Sequence, residues 1–124
     1  MEDLYIKGSS TRPTISFKTT GEIKMEGRAL IENAFQFFQP LIIWAQGFSC
    51  DEINIEVNLE YFNTSVSKQL LDLFKAFEGN AKNKVINLLW LYEEGDDEML
   101  ESGEIYEELL PRINFSYKQY VETA

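Results

Sequence analysis

Residues 63–68, Asn-Thr-Ser-Val-Ser-Lys, form the closest grouping in this sequence of side chains that could do chemistry. They lie between an alternating apolar pattern and a helical one. Asn63 or Thr64 can accept from a free N–H group of the first helical turn, which is the usual role of such residues at a helix start. A phosphoryl group on Ser or Thr is also tolerated there, because the helix presents free N–H groups and the positive end of its dipole. Lys68, one turn further on, can pair with such a group.

The second concentrated group is an acidic segment that follows an apolar run ending at Tyr92. It contains nine carboxylates and neither Lys nor Arg: Glu93, Glu94, Asp96, Asp97, Glu98, Glu101, Glu104, Glu107 and Glu108. Outside this segment twelve acidic residues stand against eleven basic ones, so the net charge of -10 comes almost entirely from one stretch. This distribution argues against binding to nucleic acids and to anionic membrane surfaces, both of which need basic clusters.

The acidic segment allows three interpretations. Asp97 and Glu101 are four apart and share a helical face, so the pair could bind a hard cation, although Gly95 falls too early for an EF-hand. A solvated acidic face is the ordinary outcome of such a charge run. The third interpretation is a docking surface for a basic partner, which would speed association and help orientation. The candidate docking residues are Glu93, Glu94, Asp96 and Asp97.

Absent residue types exclude several kinds of chemistry. The sequence has no His, which removes Ser-His-Asp and Cys-His catalysis and every His-based metal site. Cys50 is the only cysteine, so no disulfide forms within the chain, and no glycine-rich phosphate-binding motif occurs. We therefore expect no cofactor and no metal. No secretory signal or transmembrane run is present, so we expect a cytoplasmic protein without membrane insertion.

Alternation of apolar and polar residues predicts most of the strands. The clearest case is 53–61, Ile-Asn-Ile-Glu-Val-Asn-Leu-Glu-Tyr, with one apolar and one polar face. The run 84–92 is almost continuously apolar, which is typical of a strand buried on both faces. Single strands are predicted at 4–6 and at 112–117. Two more strands form a hairpin that turns at Thr20-Gly21 and ends at Gly27.

Helical spacing of apolar residues predicts three helices. They lie within 29–48, from 65 to 79, and over 96–110. In the first of them Phe35 belongs to the apolar stripe. Pro40 predicts a kink there, or a short turn at 33–38 leading into a helix over 39–47, because proline removes a backbone donor and clashes with the preceding turn.

These elements predict one α/β domain over 1–124. The strand over 53–61 reaches the strand over 84–92 through a helical crossover of more than twenty residues, which requires a parallel pair with a right-handed connection. We therefore predict a single mixed β-sheet with an N-terminal hairpin and about three helices packed on it. The turn at 63–68 then lies at the carboxyl end of a parallel strand, where ligands and chemistry gather in open α/β sheets.

Two stretches of the chain resemble the SiaC-type family of bacterial regulatory phosphoproteins. Residues 59–74 contain Tyr-Phe-Asn-Thr-Ser, which is similar to the family's segment at a strand–helix junction. Residues 90–104 contain Trp-Leu-Tyr and then an acidic run, Asp-Glu-Met-Leu-Glu-Ser-Gly-Glu, which is similar to the family's second motif. Looser agreement, including Pro13 and Trp44, extends the likeness over nearly the whole chain. The chain departs from the family at 65–67, where it has Ser-Val-Ser and relatives often have Ser-Ser.

The resemblance implies a small α/β domain similar to anti-sigma-factor antagonists, with a phosphorylatable threonine that corresponds to Thr64. Family members are phosphorylated by a dedicated Ser/Thr protein kinase and dephosphorylated by a metal-dependent PPM-type phosphatase. In the best-known system the unphosphorylated form binds and activates a diguanylate cyclase, which links the switch to biofilm formation. A cognate kinase, a PPM-type phosphatase and a diguanylate cyclase are thus the partners that the resemblance implies.

We therefore predict a non-enzymatic regulatory phosphoprotein that switches its binding to a signalling partner. Thr64 is the phosphoacceptor, and Asn63 and Ser65 shape the turn. Lys68 and the helix N-terminus hold the phosphate. Ser65 and Ser67 are both open as second acceptors. The alternatives are a constitutive acidic protein-binding module and an enzyme that uses paired carboxylates of the acidic segment.

Overall fold

The computed structural model describes residues 1–121, which form six strands and three helices. The strands are β1 (Leu4–Ile6), β2 (Thr14–Phe17), β3 (Glu22–Ala29), β4 (Glu52–Phe62), β5 (Val85–Glu93) and β6 (Ile113–Tyr120). The helices are α1 (Ala34–Gln46), α2 (Thr64–Glu78) and α3 (Asp97–Leu109).

All six strands form one sheet in the order β1-β2-β3-β4-β5-β6. The first three pair antiparallel, whereas β3, β4, β5 and β6 are parallel. Each parallel connection contains one helix. Because the strand order follows the chain, right-handed crossovers place all three helices on the same face of the sheet. This confirms the predicted mixed sheet with an N-terminal hairpin and helices packed on it.

One-sided packing overturns the prediction that β5 is buried on both faces. Ile86, Leu88 and Trp90 are buried beneath the helices, but Val85 is 40% exposed and Leu89 only half-buried on the opposite face. The length of the crossover correctly predicted that β4 and β5 are parallel. The apolar run could not predict that no helix of the described chain covers the second face, because that depends on the strand order.

Asparagine side chains link the parallel strands across the helix-free face. The Asn87 amide nitrogen donates to the Asn54 side-chain oxygen at 3.1 Å, and that of Asn114 donates to the Asn87 oxygen at 3.2 Å. The three residues occupy one row because the parallel register aligns them. Polar side chains at these positions allow the face to remain in water.

A bulge interrupts the pairing of β3 and β4. Gly27 pairs with Leu59 and Arg28 pairs with Tyr61, so Glu60 is an extra residue in β4. The φ angle of Gly27 is +126°, in a region that glycine enters without steric cost. The predicted end of the hairpin at Gly27 is therefore wrong, because β3 continues through the bulge to Ala29.

The extra residue also changes which side chain of β4 reaches the core. Glu60 and Tyr61 are both exposed, and Tyr61 does not continue the apolar face as its spacing predicted. Phe62 turns inward instead and packs edge-on against Trp90, with ring centroids 6.3 Å apart. The bulge thus sets the side-chain orientation immediately before the hydroxyl-rich turn.

Helix α1 runs as one helix through Pro40, so the predicted separate helix over 39–47 is wrong. Pro40 cannot donate to the carbonyl of Gln36, but both residues are exposed, so water can satisfy that carbonyl. Phe38 is buried on the sheet side and holds the helix in place. Phe35, predicted in the buried stripe, is 62% exposed.

Trp90 forms the contact that fixes α3 on the sheet. Its side chain is fully buried, and its indole N–H donates to the carbonyl of Met99 at 2.9 Å. Gly103 lies against the same ring, where an added Cβ would be 2.7 Å from Trp90 Cδ1. The helix can approach this closely only because position 103 has no side chain.

We expect Gly103→Ala to lower the free energy of unfolding by about 1–3 kcal/mol, since the buried ring or the helix must move. Urea unfolding followed by circular dichroism measures the change. Glu101→Ala, an exposed position on the same helix, should stay within about 0.5 kcal/mol of the parent. Equal stability of the two variants would show that the Trp90 contact is not tight.

Candidate functional site

Asn63 caps helix α2 at the end of β4. Its side-chain oxygen accepts from the N–H of Val66 at 3.0 Å, and its carbonyl accepts from the N–H of Ser67 at 2.9 Å. Thr64 is the first residue of the helix. The amide side chain alone therefore satisfies the cap, and the hydroxyl of Thr64 is not needed for it.

Thr64 and Ser65 present their hydroxyls to solvent. Both residues are exposed, and neither hydroxyl forms a hydrogen bond with any of residues 1–121. The cap leaves their backbone N–H groups at the helix start for water or an anion. Lys68 is also exposed, lies one helical turn after Thr64 and makes no ion pair within the described chain. The structure thus groups Asn63, Thr64, Ser65 and Lys68 at one helix end.

Ser67 differs from the other hydroxyls because Tyr106 of α3 engages it. The phenol donates to the carbonyl of Ser67 at 2.8 Å and lies 3.0 Å from the Ser67 hydroxyl oxygen. A phenol has one proton, so the Ser67 hydroxyl is the donor in the second bond. Burial raises the pKa of Tyr106 to about 12.

The sequence did not predict the contact between Tyr106 and the turn at 63–68. Tyr106 and Ser67 are 39 positions apart, and no local pattern joins them. Tyr106 also packs edge-on against Phe74 and Trp90, with ring centroids 5.5 and 5.6 Å away. These contacts fix the phenol, and the phenol fixes the first turn of α2 against α3.

The acidic segment begins at the carboxyl end of β5, next to β4 in the sheet, so both candidate groups lie at the same edge. Asp96 is the N-cap of α3, and its carboxylate accepts from the N–H of Met99 at 3.1 Å. Glu94 and Asp97 are exposed, and Glu93 is half-buried at the strand end. Asp96 therefore has a structural role, whereas Glu94 and Asp97 are accessible to a partner.

No group of three or more Asp, Glu or Cys side chains within residues 1–121 is arranged to hold a metal ion. The side chains of Asp97 and Glu101, the predicted carboxylate pair, are both exposed on α3. None of the three helices found in this part of the chain is long and apolar enough to cross a membrane.

The fold and the exposed turn are those of a small α/β regulatory domain. Residues 6–120 match the SiaC family of regulatory phosphoproteins, and the chain belongs to that family. An uncharacterized protein of Pseudomonas aeruginosa strain UCBPP-PA14 is 27% identical over 113 residues, which cover 87% of this chain and 90% of the relative.

Solved structures agree with this assignment. A chain in the crystal structure of the diguanylate cyclase SiaD in complex with its activator SiaC, from Pseudomonas aeruginosa, is similar with a TM-score of 0.81 and 25% identity. The match covers 95% of the present chain and all of the other. Apo-SiaC of the same organism gives a TM-score of 0.81 at 26% identity, with 95% and 99% covered.

We expect Asn63→Ala to lower the free energy of unfolding by about 1 kcal/mol, because the N–H of Val66 loses its acceptor. Asn63→Asp keeps an acceptor oxygen at the same place and serves as the matched control. Urea unfolding of both variants measures the difference. If the two were equally destabilised, the capping bond would not be the stabilising interaction.

The raised pKa of Tyr106 predicts a dependence of stability on alkaline pH. The native state holds the phenolic proton up to about pH 12, whereas the unfolded chain releases it near pH 10. The contribution is therefore complete below pH 10 and is lost as the pH rises through 12. Between pH 9 and pH 11 the parent should lose about 1 kcal/mol more stability than Tyr106→Phe. Parallel losses measured by urea unfolding would mean that Tyr106 titrates normally.

Proposed function

We propose that this chain is a non-enzymatic regulatory phosphoprotein in which Thr64 is reversibly phosphorylated. The observation that carries the proposal is the exposed hydroxyl of Thr64 at the first position of α2, beside N–H groups that the Asn63 cap does not use. Membership of a family of regulatory phosphoproteins supports it. A kinase can reach this hydroxyl without breaking a hydrogen bond within residues 1–121.

The surroundings of Thr64 suit a phosphoryl group. Phosphorylation adds a charge of about -1.5 to -2 and three acceptor oxygens. The free N–H groups of Thr64 and Ser65 and the ammonium group of Lys68 can hold that charge at the helix start. Ser65 is the better second acceptor, because the Ser67 hydroxyl is half-buried and bonded to Tyr106.

The switch acts on a binding surface. The SiaD–SiaC complex of Pseudomonas aeruginosa contains a diguanylate cyclase and its activator, and this chain is similar in fold to SiaC. We propose that the present chain binds a diguanylate cyclase in the same way when Thr64 is unmodified, with Glu93, Glu94, Asp96 and Asp97 as possible docking residues. A cognate Ser/Thr kinase and a PPM-type phosphatase would set the phosphorylation state in the cytoplasm, where ATP is available.

We expect the chain to gain one phosphoryl group when incubated with its cognate kinase and ATP, as detected by intact-mass spectrometry. Peptide mapping should place the group on Thr64. Thr64→Ala should abolish the mass gain. Ser67→Ala, which removes a different hydroxyl of the same helical turn, should leave most of it. Undiminished labelling of Thr64→Ala would make the assignment wrong.

The matching binding experiment compares Thr64→Ala with Thr64→Glu as captured baits. Thr64→Ala should retain a diguanylate cyclase and stimulate its cyclic di-GMP synthesis, whereas Thr64→Glu should lose most of both, because a charge enters the interface. If both baits retain and stimulate the cyclase equally, phosphorylation of Thr64 does not control this partner.

A second candidate function is a constitutive acidic binding module. The observation that favours it is the row of exposed carboxylates on α3, including Glu98, Glu101, Glu104 and Glu108. In that case partner binding would weaken as salt is raised but would not respond to Thr64→Glu.

A further inference from the structure

Strand β6 is a long and regular edge of the sheet. Its only partner strand among residues 1–121 is β5, and the two pair through eight consecutive residues without a bulge. The strand contains no proline. Proteins usually protect an edge of this length with a bulge, a proline, charged side chains or a covering element, since an unprotected edge accepts another strand. Among these features, β6 has one charged side chain, Lys118, which alternates with Tyr117 and therefore lies on the face opposite α3.

The direction of the backbone groups identifies the residues that face outward. The carbonyl of Tyr120 accepts from the N–H of Glu94, which follows β5, at 2.8 Å. Successive residues of a strand direct their backbone groups to opposite sides, so the even-numbered residues of β6 face β5. Phe115, Tyr117 and Gln119 therefore direct their N–H and C=O groups away from the sheet.

Carboxylates of α3 flank this edge on the helix side. The Tyr117 hydroxyl donates to a carboxylate oxygen of Glu107 at 2.6 Å. Glu104 lies three residues before Glu107 on the same face of α3. Burial, this bond, and the charges of Glu107 and Glu104 all raise the pKa of Tyr117. Both glutamates are exposed, and neither forms an ion pair within the described residues. The outer edge of β6 is thus bordered by negative charge.

We propose that the β6 edge binds an extended segment of a partner protein that carries Lys or Arg at alternate positions, by adding it as a further strand. Main-chain hydrogen bonds to Phe115, Tyr117 and Gln119 give the pairing, and the basic side chains meet Glu104 and Glu107. This surface does not include Thr64 and does not depend on its phosphorylation.

Electrostatic repulsion makes a second copy of this chain an unfavourable partner for the β6 edge. Each copy carries a net charge of -10, and most of it lies in the segment that contains α3. Pairing β6 with β6 of another copy would bring two acidic α3 helices toward each other, where like charges repel. A strand that carries Lys or Arg would instead be attracted to the acidic α3 helix.

The probe is a synthetic seven-residue peptide that alternates lysine with threonine, titrated into the isotope-labelled full chain and followed by NMR. We expect chemical-shift changes and slowed amide exchange at residues 115, 117 and 119. The analogue with glutamate in place of lysine should not bind. Equal binding of both peptides, no binding of the lysine peptide, or shifts confined to the helix-free face or to α2 would overturn the proposal.

Matched variants test the two parts of the surface separately. The double variant Glu104→Gln/Glu107→Gln should bind the lysine peptide about fivefold more weakly, because two exposed ion pairs are lost. The control double variant Glu98→Gln/Glu101→Gln, on the same helix, should change the affinity less than twofold. Gln119→Pro removes an outward donor and should weaken binding further than Gln119→Ala. Urea unfolding confirms that each variant is folded. Equal effects within either pair, or concentration-dependent dimers that form through β6, would refute the assignment.

Discussion

The contact between Trp90 and Gly103 is the constraint on which the candidate site depends. It brings α3 close enough to β5 for the indole N–H to bond the carbonyl of Met99. Once α3 is fixed at that distance, Tyr106, less than one turn after Gly103, reaches the first turn of α2. A path of direct contacts therefore connects Gly103 to the turn at 63–68 through Trp90 and Tyr106.

One-sided helix packing accounts for the remaining surfaces. Because the parallel strands follow chain order, the crossovers leave one face of the sheet without helices and end the described sheet at β6. The asparagine row of Asn54, Asn87 and Asn114 suits the helix-free face to water. Within the described residues, the β6 edge has neither a bulge nor a proline. The proposed phosphorylation site at the turn and the proposed strand-binding edge at β6 therefore lie on different parts of the same topology.

The sequence predicted the elements well wherever its signal was local. The alternation over 53–61, the helical period after it and the helical spacing over 96–110 each correspond to an observed element. The failures involve information that the local pattern does not carry. Phe35 is exposed, and Tyr61 was displaced by the bulge opposite Gly27. The burial of only one face of β5 required the strand order, and the bond between Tyr106 and Ser67 required the packing of two helices that are distant in sequence.

If Thr64 is phosphorylated as proposed, the energetics of the turn favour a change at the surface over refolding of the domain. A phosphoryl group at the first position of α2 lies at the favourable end of the helix dipole, an interaction worth about 0.3–1 kcal/mol in exposed positions. The Asn63 cap and the hydrogen bond from Tyr106 to Ser67 do not involve the hydroxyl of Thr64, so phosphorylation removes neither. The modified helix should therefore be at least as stable as the unmodified one. Any change in partner binding must then come from the charge and volume of the phosphate at the interface, because the domain beneath it has no reason to unfold.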